Sequence, residues 1–63
     1  MGMIQVLGKN LEAESGKTIE QVISENGLHP DSYLYVIDGK PVPMDTVIQD
    51  TTVVKAMRVA SGG

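Results

Sequence analysis

Residues 18–27 read TIEQVISENG, and this stretch decides the fold because it alone changes the hydrophobic period of the chain. Ile19, Val22 and Ile23 stand at i, i+3, i+4, while Glu20, Gln21, Ser24 and Glu25 face the other way, which predicts a short amphipathic helix. Thr18 with Gln21 three residues on is a capping box. Gly27 after Asn26 supplies the left-handed residue that ends many helices, with Leu28 placed to fold back apolarly.

Outward on both sides the period is two. In MIQVLGKN, Ile4 and Val6 alternate with Gln5 and run into a Gly8-Lys9-Asn10 turn. In LEAES, Leu11 and Ala13 oppose Glu12 and Glu14, so the two runs suit an antiparallel hairpin. After the helix, YLYVID is an apolar, β-prone run closed by the turn dipeptide Asp38-Gly39. KPVPMD carries two prolines that disfavour a central strand, and TVIQD is expected to form only a short irregular or helical turn. TTVVKAMRV then gives the longest late strand, with Val54 and Ala56 on one face and Lys55 and Met57 on the other. The order predicts an α+β domain, a mixed sheet of about four strands covered on one face by one helix. The helical crossover is long enough for parallel pairing, so the first and last strands can lie side by side in the centre. The expected core is Ile4, Val6, Leu11, Ile19, Val22, Ile23, Val54 and Ala56. With no Phe in the chain, aromatic contacts to it come from Tyr33 and Tyr35 or are absent.

Composition narrows the function. A 63-residue domain has a thin core, and without Cys neither a disulfide nor a thiolate zinc site supplements it. The net charge of −3 and the dispersed Lys9, Lys17, Lys40, Lys55 and Arg58 offer no basic stripe, so nucleic acid is not expected as a partner. No apolar run reaches the ~20 residues of a membrane span. The start MGMIQVLGKN lacks the basic flank and cleavage site of a signal peptide, and Val6 stands where a myristoylation motif wants Ser or Thr. No membrane association and a cytoplasmic location are therefore expected. His29, beside Pro30, has no companion ligand and reads as a loop residue.

The sequence closes on Ala60-Ser61-Gly62-Gly63, which is expected to form a flexible tail (60–63) after a domain spanning 1–59. Glycine adds no Cβ bulk, so such an arm can thread a narrow active site and expose its last carbonyl. The α-carboxylate of Gly63 is ionised at neutral pH and a poor acceptor for nucleophiles. Attack of that carboxylate on the α-phosphate of ATP would give an acyl-adenylate open to sulfur, a thiol or an amine. The chain has no phosphate loop of its own, so the activating machinery belongs to a partner and no catalytic residue or metal ligand is expected here.

From MIQVLG through TIEQVISENG and YLYVIDGKPVP to RVASGG, the chain resembles the ThiS/MoaD family of ubiquitin-like sulfur carriers. The resemblance implies the β-grasp fold. It also implies adenylation of Gly63 by a ubiquitin-activating-type adenylyltransferase using ATP and magnesium, and conversion to a thiocarboxylate, with Gly62 and Ser61 as the threading residues. A sulfur-accepting thiazole or molybdopterin synthase, or tRNA thiolation, would then use the sulfur. A protein modifier joined through Gly63 to a lysine of a conjugation target uses the same activated glycine, and a passive binding module needs none. If Tyr35 and Ile37 point to the helix, Leu34 and Val36 point away beside Lys55 and Met57; the opposite parity reverses that face. Leu34, Val36, Lys55 and Met57, with Arg58 near the tail, are then either scattered surface residues or a docking patch for the activating enzyme.

Overall fold

The computed structural model describes residues 1–59. Strands β1 (Gly2–Val6) and β2 (Lys9–Ala13) precede helix α1 (Ile19–Glu25), and a single 3₁₀ turn (Pro30–Ser32) leads into β3 (Tyr33–Ile37), β4 (Lys40–Val42) and β5 (Val53–Arg58). One sheet runs in the order β2-β1-β5-β3-β4. β5 lies parallel to β1, with Ile4 opposite Val54 and Val6 opposite Ala56, and the other pairings are antiparallel. This is the ubiquitin-like β-grasp arrangement.

The local signals act as their chemistry requires. Gln21 N–H donates to the Thr18 hydroxyl and the Thr18 N–H donates to the Gln21 side chain, closing the capping box. At the other end Gly27, at φ 77°, lets its own N–H reach the Ser24 carbonyl and the Leu28 N–H reach that of Ile23, a Schellman motif. Both hairpins turn on two residues of positive φ, Leu7-Gly8 and Asp38-Gly39, so the first turn sits one position earlier than its glycine suggests.

Five strands form where about four were expected. The additional one is β4, with Pro41 opposite Val36. It lies at the edge of the sheet, where a missing proline N–H breaks no inner ladder. Seven of the eight expected core residues are buried; Leu11, on the other edge strand, is half-buried against them. Three further residues complete the core: Ala13, Tyr35 and Ile48.

Ile48 comes from the segment between β4 and β5. It is held by backbone bonds from Ile48 N–H to the Lys17 carbonyl (2.8 Å) and from Gly16 N–H to its own carbonyl (2.9 Å). Its neighbour Gly2 is buried too, and a Cβ there would stand 2.5 Å from Ile48 Cγ2 and 2.7 Å from the Gln49 carbonyl oxygen. Glycine is the residue that fits.

Candidate functional site

β5 positions the candidate surface. It is a central strand, so its alternation sends Val54 and Ala56 into the core and Val53, Lys55 and Met57 to the face away from the helix. Its neighbour β3 resolves the parity left open by the sequence: Tyr35 is 3% exposed and Ile37 packs against the core, so Leu34 and Val36 lie outward. The register puts Leu34 opposite Met57 and Val36 opposite Lys55. Leu34 is 46% and Met57 45% exposed, whereas Val36 is half-buried. Four of the five residues named from the sequence, Leu34, Val36, Lys55 and Met57, therefore share one face.

The sequence reading left out Val53, which is 49% exposed and opposite Met3 of β1, in line with Lys55 opposite Gln5. Its signal was present as the i, i+2 step to Lys55. Leu7 is also exposed, at φ 52° in the β1–β2 turn, a backbone region leucine rarely occupies; nothing local to the sequence marks it.

Arg58, grouped with that surface from the sequence, does not share it: strand alternation puts it on the helix side of the sheet opposite Tyr33, and the Val59 N–H donates to the Ser32 carbonyl at 2.9 Å. The chain is thus tied to β3 and the 3₁₀ turn up to Val59. Ala60, Ser61, Gly62 and Gly63, the expected tail and its reacting glycine, lie outside the described residues. His29 is exposed just before the 3₁₀ turn. Among the described residues no cluster of three or more His, Cys, Asp or Glu is arranged to hold a metal ion, and no helix is long and apolar enough to cross a membrane.

Two comparisons bear on this geometry. A family model described as small archaeal modifier protein 2 matches residues 3–60, from within β1 to just beyond β5. An uncharacterized protein from Archaeoglobus fulgidus is 36% identical over 56 residues, which cover 87% of this chain and 82% of that protein.

Proposed function

This chain belongs to the small archaeal modifier protein 2 family, non-enzymatic ubiquitin-like proteins, and on that premise we propose that it is a modifier joined through Gly63 to lysine amines of target proteins. The family match over nearly the whole β-grasp domain carries this reading. A separate ubiquitin-activating-type adenylyltransferase, using ATP and magnesium, forms the acyl-adenylate as the Gly63 carboxylate attacks the α-phosphorus and pyrophosphate leaves. A lysine amine then attacks the carbonyl, loses its proton and expels AMP, leaving an isopeptide. Gly62 and Ser61 supply the narrow arm that threads the enzyme's active site.

The outer face of Leu34, Val36, Lys55 and Met57 is the contact surface for the activating enzyme in this reading. Its support is continuity: β5 carries half of the face and leads directly to the reacting segment. A second reading shares the adenylate. The likeness of VIDGKPVP and the Gly62-Gly63 pair to the sulfur carriers favours conversion to a thiocarboxylate for a thiazole or molybdopterin synthase or for tRNA thiolation.

The test is activation followed by mass. With a cognate adenylyltransferase, ATP and magnesium, the protein is expected to release pyrophosphate. Deletion of Gly63 abolishes that release, and Gly62→Val slows it without changing the melting temperature, since a β-branched side chain stiffens the arm. Intact-mass analysis of protein from its own cells separates the branches: a Gly63-to-lysine linkage supports the modifier and sulfur in place of oxygen the carrier. An unmodified end with no activation leaves a passive binding module.

A further inference from the structure

A second feature borders the outer face of the sheet at Leu34. Between the start of α1, the 3₁₀ turn and the β3–β4 hairpin lies a cleft of about 530 Å³. Tyr33, Tyr35 and Met44 give it an apolar and aromatic floor, and Glu20, Asp31 and Asp45 stand around it. The two rings lie 6.4 Å apart at 41°. The Tyr35 hydroxyl donates to the Pro30 carbonyl at 2.7 Å, so the floor's one buried hydroxyl is already satisfied.

The charge on the rim is unbalanced. Arg58 stands opposite Tyr33 at the border, but no Lys, Arg or His lines the cleft itself, and among the described residues none of the three carboxylates is ion-paired. Glu14 and Glu25, by contrast, are held by Lys17 at 3.5 and 2.8 Å. The negative field reaches the floor: the Tyr35 phenol is pushed up to about 12, first by burial and then by the charges of Tyr33, Asp31 and Glu20. A second hollow shares Glu20, Pro30, Asp31 and Met44 with the cleft and continues over the helix past Gln21 and Ser24. The two meet at these shared residues in one open trough.

We propose that this trough is a docking site for an arginine-bearing segment of a partner protein. A guanidinium laid on the Tyr33 ring meets an aromatic face and presents its fork of N–H donors to the rim carboxylates, while its methylene stem covers Met44. Arginine fits better than lysine because the site combines a stacking surface with planar acceptors, and an ammonium uses neither geometry as well. The Val59 anchor on Ser32 lies beside Asp31, so a partner seated here also borders the root of the C-terminal segment. The site does not depend on the fate of Gly63.

Titration of the isotope-labelled full chain with the blocked peptide acetyl-Ala-Arg-Ala-Arg-Ala-amide tests this. Saturable shifts are expected at the amides of Glu20, Asp31, Tyr33, Met44 and Asp45, weakening as salt is raised, with none from a glutamate peptide of the same length. Glu20→Gln with Asp31→Asn should weaken binding about tenfold or more at unchanged melting temperature. Should that pair disturb folding, Asp45→Asn supplies the same reading from another element. Absence of binding, equal binding of a lysine peptide, affinity unaffected by these changes, or shifts centred on Val53, Lys55 and Met57 overturns the proposal.

Discussion

The ring of Tyr35 lies in the core while its hydroxyl donates to the Pro30 carbonyl, so one residue joins β3 to the turn before it. Its phenol is raised from 10.0 to about 12, chiefly by burial. Because the folded value lies above the unfolded one, this contribution to stability is fully present below pH 10 and is lost as the pH rises through about 12. Tyr35→Phe is therefore expected to cost about 1 kcal/mol at neutral pH through the lost hydrogen bond, and to flatten the loss of stability above pH 10. Denaturant midpoints measured across that range check it; parallel curves for parent and variant would assign the alkaline loss to another group. The Thr18–Gln21 cap was visible in the sequence because its partners are three residues apart. The need for glycine at position 2 was not, since the atoms a Cβ would strike belong to Ile48, Gln49 and Thr52.

At the scale of elements, helix and sheet divide the side chains by opposite rules. α1 buries Ile19, Val22 and Ile23 together, and Ile23→Asp is expected to unfold the protein because the charge finds no partner in the core. β3 and β5 instead alternate, leaving Leu34, Val36, Lys55 and Met57 on the far face. Val36→Asp and Met57→Asp are expected to keep the fold, at a cost of about 1 kcal/mol or less for a poor strand former. Adenylation by the activating enzyme should fall about tenfold or more if that face is the contact. Thermal melting and pyrophosphate release, measured on the same preparations, separate the effects. Folded variants activated at the parent rate remove the face from the mechanism.

For the whole molecule the thinness of the core sets the scale. A domain of 63 residues has a total stability of about 3–9 kcal/mol, and truncating a buried isoleucine costs about 2–5 kcal/mol. Ile48 is 1% exposed, so Ile48→Ala is expected to remove much of the stability, and equilibrium urea unfolding reads the loss directly. A midpoint close to the parent's would show that the segment closes over the gap. The sequence by itself determined the helix and its caps, the opening hairpin and the alternation of the late strand, since each rests on the period of neighbouring residues or on the nature of the residues themselves. Tertiary structure alone decided that a proline-bearing run forms an edge strand, that Ile48 enters the core, that Val36 faces outward, and that Glu20, Asp31 and Asp45 surround one trough. Those outcomes depend on groups far apart in the chain or on the packing of whole faces, and no local period carries that information.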